Sequence, residues 1–105
     1  MRRSHKYGAK PVTIDGHRFH SKAEGARYRL LTLLVRAGEV SNLTLQPRFP
    51  LDVCGVTIGY YVADFEYCEG GARIVEDVKG MKTPLYRWKK KHFEVQYGLM
   101  IRETK

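Results

Sequence analysis

The residues best placed to do chemistry lie in Tyr61-Val62-Ala63-Asp64-Phe65-Glu66-Tyr67 and, beyond Glu69-Gly70-Gly71-Ala72, in Arg73-Ile74-Val75-Glu76-Asp77-Val78-Lys79. With Gly70 and Gly71 as the central pair of a tight hairpin turn, Asp64 falls opposite Asp77, a spacing of about 4.5–5.5 Å between Cβ atoms. Period-two geometry then assigns Val62, Asp64, Glu66, Val75, Asp77 and Lys79 to one face. Ala63, Phe65, Tyr67, Ile74 and Val78 fall on the other, with Glu76 the only charge there. The reading is one core face and one face presenting acids and a lysine.

Opposed carboxylates repel, so a sequence that keeps them needs a cation or a raised pKa on one acid. A hard divalent ion such as Mg²⁺ or Mn²⁺ fits oxygen donors of this kind. Lys79 follows Asp77 on the same face, within reach of a phosphoryl oxygen. Metal-held carboxylates beside a cation are what phosphodiester hydrolysis requires. The competing reading is a set of solvated sheet-face charges joined by an ordinary salt bridge. One extra residue in the turn would also move Asp64 out of opposition. Glu76 competes with Asp77, but alternation favours Asp77.

Several elements must position these groups. Val12-Thr13-Ile14-Asp15-Gly16-His17-Arg18-Phe19 reads as a two-residue hairpin. Ser21 opens a helix to about Ala37, with Glu24 completing a capping box and Gly38 marking the stop. Its expected core stripe is Ala23, Ala26, Leu30, Leu33, Leu34 and Ala37, with Glu24 and Tyr28 on the flank. From Val40 to Tyr67 the pattern is β, interrupted by Pro47 and Pro50, with one run from Ile58 to Tyr67. A strand from Arg73 to Lys79, a loop over 80–84, a helix from Leu85 to Tyr97 and a closing strand at Leu99-Met100-Ile101 complete the chain. In the second helix Tyr86, Phe93 and Tyr97 face one side, and Arg87, Lys90, Lys91 and Glu94 the other. The order predicts one mixed α/β (α+β) layer fold over 12–105, after a basic arm over 1–11.

The 105 residues suit a single domain, and 43% apolar content supports a packed core. A net charge of +8 points to a polyanion: nucleic acid first, then an anionic membrane surface or an acidic protein. No apolar run is long enough to span a bilayer, and the basic start lacks the apolar segment of a secretory signal. Cys54 and Cys68 are expected to be free thiols of a cytoplasmic protein. The four histidines lack zinc spacing. Neither a nucleotide-cradling glycine loop nor a serine-nucleophile elbow occurs.

Ala63-Asp64 followed by Asp77-Val78-Lys79 resembles the PD-(D/E)xK nuclease signature, with alanine in place of the signature proline. Restriction endonucleases, phage exonucleases and Holliday-junction resolvases carry that signature. Phe19-His20-Ser21-Lys22-Ala23-Glu24, Leu45-Gln46-Pro47, Ala63-Asp64-Phe65 and Glu76-Asp77-Val78-Lys79-Gly80 together resemble a family of small phage and prophage proteins of that superfamily. The likeness covers the chain from Lys6 to Glu103.

The resemblance implies a restriction-endonuclease-like α-β-β-β-α-β core, a central mixed sheet flanked by two helices. It implies a catalytic set of Glu24, Asp64, Asp77 and Lys79, in which the three acids hold Mg²⁺ or Mn²⁺ and Lys79 stabilises charge. For Glu24 the helix-capping role stands as the alternative. Lys82, Thr83, Lys89 and Lys90 suit phosphate contacts, against the plainer reading of a solvated helix. Arg2 and Arg3 could lie along a phosphate backbone, and Gln46 could position water or a base. The expected activity is a metal-dependent endodeoxyribonuclease selective for Holliday junctions or other branched DNA, serving phage recombination, replication or packaging in the host cytoplasm. Symmetric junction cleavage requires two sites, hence an expected homodimer. The alternatives are a non-catalytic nucleic-acid-binding module on the same fold, or a protein that binds an acidic partner.

Overall fold

The computed structural model describes residues 10–105. Arg2 and Arg3, and most of the expected basic arm, lie outside the described residues. Strands β1 (Val12–Ile14) and β2 (His17–Phe19) form the expected hairpin, with Asp15 at φ 53° and Gly16 at φ 79°. Both values belong to the left-handed region that a two-residue turn demands. Helix α1 spans Lys22–Arg36. Ser21 is its N-cap, the hydroxyl accepting the Glu24 N–H at 3.1 Å.

Strands β3 (Val40–Leu45), β4 (Arg48–Val53), β5 (Val56–Val62), β6 (Phe65–Glu69) and β7 (Ala72–Val78) follow, then helix α2 (Pro84–Tyr97) and strand β8 (Ile101–Thr104). The central sheet has the order β3-β6-β7-β8 and is mixed, because β8 returns parallel to β7 after the α2 crossover. Strands β4 and β5 form a separate two-stranded sheet. Setting that hairpin and β1-β2 aside leaves the α-β-β-β-α-β order, with a mixed central sheet and two helices.

The β6-β7 register runs from Glu69↔Ala72 to Phe65↔Glu76, as the two-glycine turn predicts. Three expectations need correction. The run from Ile58 to Tyr67 is two strands, because the chain leaves the β4-β5 sheet at Ala63-Asp64 and enters the central sheet. The Ala63 N–H donates to the Pro47 carbonyl at 3.1 Å, and the Gln46 N–H to the Asp64 carbonyl at 2.9 Å. These bonds hold the crossing between the two sheets. The closing strand starts at Ile101, two residues later than expected, after Gly98 ends α2 in the left-handed conformation.

The third correction concerns the α1 face. Its buried residues are Glu24, Gly25, Tyr28 and Leu31, whereas Leu30 and Leu33 are exposed. Apolar count favoured one stripe; close approach selected another. A Cβ on Gly25 would sit 2.7 Å from Val12 Cγ2 and 2.9 Å from Ile14 Cδ1. The bare glycine backbone therefore lets β1 lie directly on the helix. Leu34, from the expected stripe, does pack against this core.

Two cores result, one on each side of the sheet. Phe19, Tyr28, Leu31, Val40, Phe65 and Tyr67 fill the α1 side. Phe49, Leu51, Tyr61, Val75, Phe93 and Ile101 fill the α2 side. The expected open acidic face is thus itself largely covered: Asp77 on it is buried, and Asp64 and Glu66 are half-buried.

Candidate metal and phosphate site

Asp77 sits near the end of β7 with 1% of its surface exposed. Its Oδ2 accepts the Tyr61 hydroxyl proton. Its Oδ1 is buried and has no hydrogen-bond partner. The nearest cation is Lys79, whose Nζ lies 3.7 Å from that same Oδ1 and 4.4 Å from the centre of the Tyr86 ring. An orphaned buried carboxylate oxygen is costly, so its retention needs a reason.

Asp64 lies one residue past the last β6-β7 pair, in the bend between sheets. Its backbone N–H donates to the Glu76 carbonyl at 3.1 Å, and its Oδ2 accepts the Val78 N–H at 2.7 Å. The Asp64 carboxyl lies close enough to both Glu24 and Asp77 for each to act on its pKa. Three acids from α1, the sheet-crossing bend and β7 are therefore adjacent.

Burial pushes the Asp64 carboxyl up to about 7, helped by Glu24 and resisted by the Val78 N–H. Burial also raises Asp77 to about 7; the Tyr61 hydroxyl and Lys79 oppose this and the Asp64 charge adds to it. The repulsion inferred from the sequence is thus present, with desolvation as the larger cause. A divalent cation between the two carboxylates would relieve both.

Glu24 has a double attachment. It is 4% exposed, and its Oε1 accepts the His20 N–H at 2.8 Å, closing the start of its own helix. It caps the helix and also acts on the Asp64 carboxyl. Among the described residues, no three His, Cys, Asp or Glu side chains stand ready-made as a metal-holding group. The donor chemistry nevertheless fits a hard divalent ion: Asp64 and Asp77 supply carboxylate oxygens, one of them unpartnered, and Glu24 borders the pair.

Glu76, the competing acid, is fully occupied elsewhere. Arg27 grips it with Nε at 2.6 Å and a second nitrogen at 2.9 Å, while the Thr104 hydroxyl donates at 2.9 Å and the Tyr67 hydroxyl also donates. Burial alone would raise its pKa, but Arg27 and the two hydroxyls hold it below the ordinary range. It is a structural ion pair beneath α1, on the face that alternation assigned to it.

The residues read as DNA contacts separate into groups. Lys82 and Lys90 both pair with Glu103, at 2.9 and 3.5 Å, and the Tyr86 hydroxyl donates to the same carboxylate at 2.6 Å. The Tyr86 hydroxyl first, then Lys82, lower Glu103 to about 2. Thr83 is the N-cap of α2, its hydroxyl accepting the Tyr86 N–H at 3.1 Å. Lys89 is not with them; it borders an apolar groove with Ile58, Leu85 and Trp88. Gln46 is exposed beside Asp64, at φ 49°, tied to it through the backbone.

Two residues here take a place in the site that the sequence reading did not assign to them. Tyr61 orients Asp77 from β5, a strand in the other sheet, and no local spacing marks that contact. Arg87 lines both basic clefts around Glu103, one of about 470 Å³ that starts at Lys79 and one of about 340 Å³. It forms no ion pair among the described residues. The Lys89-Lys90-Lys91 run draws attention in the sequence; Arg87, one turn earlier on the face of Lys90 and Lys91, is the less conspicuous signal.

Residues 4–104 match the family model described as "Protein of unknown function (DUF1064)", and the chain belongs to that family. No curated protein and no solved structure matches it. Cys54 and Cys68 are free. No helix of the described residues is long and apolar enough to cross a membrane.

Proposed function

We propose that the protein is a metal-dependent endodeoxyribonuclease. The observation that carries this reading is the buried, unpartnered Oδ1 of Asp77, with Lys79 Nζ 3.7 Å away and the Asp64 carboxyl acting on the same acid. Asp64 and Asp77 would hold Mg²⁺ or Mn²⁺, with Glu24 bordering them as a third acid. Such an ion, when bound, supplies a Lewis acid for the phosphoryl group and lowers the pKa of water. Lys79 contributes a fixed positive charge for the extra negative charge that develops on phosphorus. Tyr61 holds the Asp77 carboxylate in orientation, and the Val78 N–H does the same for Asp64. The cleft running from Lys79 past Lys82, Arg87 and Lys105, with Glu103 also on its wall, would offer a phosphate backbone basic groups beside Lys79. The substrate class proposed is branched DNA, cut by a homodimer, in a phage or prophage setting in the bacterial cytoplasm.

The Glu24 capping bond favours one alternative, a nucleic-acid-binding module that kept the nuclease fold without cutting. Cleavage of a four-way junction and of matched duplex, with Mg²⁺, Mn²⁺ or EDTA, separates the two. Metal-dependent cutting is expected for the wild type, with Asp77→Ala and Lys79→Ala reduced at least about a hundredfold while DNA binding persists. Undiminished turnover in both variants would remove the assignment. Salt-sensitive binding indifferent to metal, with no cutting, would favour the module.

A further inference from the structure

We infer that strand β5 is an interface, and that its occupant is β5 of a second copy of this chain, joined edge to edge in antiparallel fashion. The inference rests on the homodimer proposed above and names the strand that joins it; metal-dependent cutting, measured separately, tests the nuclease reading itself. The Ala63 N–H bond to Pro47 places Pro47/Ala63, Phe49/Tyr61 and Leu51/Gly59 as the bonded pairs of the β4-β5 ladder. By alternation, Pro50 and Tyr60 turn their backbone groups away from each other, towards the two outer edges.

The two outer edges are treated differently. On β4 the Pro50 carbonyl accepts the Tyr97 hydroxyl at 2.7 Å and the Gln96 amide at 3.2 Å. The Asp52 N–H donates to Gln96 at 2.8 Å, and the Asp52 carbonyl lies 3.0 Å from His92 Nε2. That edge is closed by α2 side chains. Among the described residues, the outer edge of β5 receives no hydrogen bond. An unblocked edge is a template for another strand.

The surroundings of this edge match a strand rather than water. The β5 sequence, Val56-Thr57-Ile58-Gly59-Tyr60-Tyr61-Val62, contains no charge and no proline. Charge and proline, two devices that normally prevent strand pairing, are therefore missing from it, and a one-residue register shift at Ile58 divides the edge, leaving Tyr60 and Val62 beyond it for pairing. Leu85 and Trp88 of α2 border a groove with Ile58 and Gly59, and Trp88 is 73% and Ile58 63% exposed. A strand added to β5 would lie beside this apolar shelf. Of the exposed large hydrophobic residues among those described, most belong to β4, β5 and α2 rather than to α1. Of these, Ile58, Leu85 and Trp88 line one groove, and grouped apolar exposure of this kind marks an association surface.

The strand's own composition identifies the occupant. A chain carrying +8 net charge repels its copy wherever basic residues face each other. The α1 stripe of Leu30 and Leu33 is flanked by Lys22, Arg29 and Arg36, so self-association there meets like charge. Strand β5 itself carries no charge; the basic groups near it are Lys89 on the groove rim and Arg48, whose guanidinium lies over the Tyr60 ring. An antiparallel β5 pair is also self-complementary, satisfying the two-fold symmetry of an isologous dimer. Such a dimer makes a four-stranded sheet of the two β4-β5 hairpins, and each β5 leaves it directly into its own Ala63-Asp64 crossing.

The test is the solution mass of the full chain by light scattering on a sizing column, over a range of concentrations. The expected mass is twice 12.2 kDa for the wild type. Ile58→Lys places a charge beside the edge, and Tyr60→Pro removes an outward N–H without touching a β4-β5 bond. Both are expected at the single-chain mass with an unchanged circular dichroism spectrum. Ile58→Lys decides the matter alone if Tyr60→Pro loses its fold. A wild type of single-chain mass, or a dimer that survives Ile58→Lys and breaks on Leu33→Glu, overturns the proposal.

Discussion

Asp77 and Asp64 keep their protons to about pH 7 in the fold, whereas the unfolded chain releases them near the ordinary 3.8. Between those limits the folded chain binds more protons, so stability falls as pH rises and levels off above about 7. Glu103 acts in the opposite sense: lowered to about 2, it stabilises the fold above 4.5 and loses that contribution as pH falls towards 2. At the residue scale, metal-free Asp77→Asn should therefore melt higher than wild type at pH 8, by on the order of 1–3 kcal/mol. The gap should close towards pH 4. Thermal denaturation at the two pH values checks it; equal or lower stability of the variant at pH 8 contradicts the burial of a strained charge. Adding Mg²⁺ at pH 8 should raise the melting temperature of the wild type and leave Asp77→Asn in place.

Placement of the acids depends on how elements meet. Helix α1 carries Glu24 close to Asp64 because its neighbour Gly25 lies against Val12 and Ile14 of β1. Gly25→Ala should cost about 1–3 kcal/mol from overpacking, since Val12 is branched close to the backbone and has little room to yield. The paired readout is cleavage. If α1 shifts outward, activity falls with stability; full activity in a destabilised variant would show that Glu24 is a helix cap alone. The β4-β5 hairpin has an equal share in the site, because the crossing from β5 to β6 sets Asp64 while Tyr61 sets Asp77.

The molecule as a whole is flattened, with extents of 43 × 39 × 21 Å and a radius of gyration of 14.8 Å, against about 13 Å for a round domain of this length. A thin body has much surface per residue, which suits both an added strand and a broad basic face. Arg87, free of ion pairs among the described residues, should contribute fully to phosphate binding, whereas Lys82 and Lys90 are partly neutralised by Glu103. Arg87→Ala should lower the slope of log K against log salt by about 1. Titrations of labelled duplex at several salt concentrations measure it. Lys89→Ala, on the apolar groove, should change the slope less.

Local periodicity and turn chemistry were enough for several features. Asp15-Gly16 and Gly70-Gly71 dictate hairpins because few other residues accept positive φ, and the second turn alone sets the β6-β7 register. Ser21 and Thr83 mark helix starts because their hydroxyls accept orphan N–H groups. Alternation separates Asp77 from Glu76. What the chain could not reveal locally is which surfaces meet. The buried α1 stripe was decided by a glycine against β1, not by the larger number of leucines, since close approach outweighs apolar count. The break at Ala63-Asp64, the Tyr61 hydroxyl on Asp77 and the covered acidic face all depend on residues distant in sequence. Burial, and with it the pKa of both acids, is a property of the whole packed molecule.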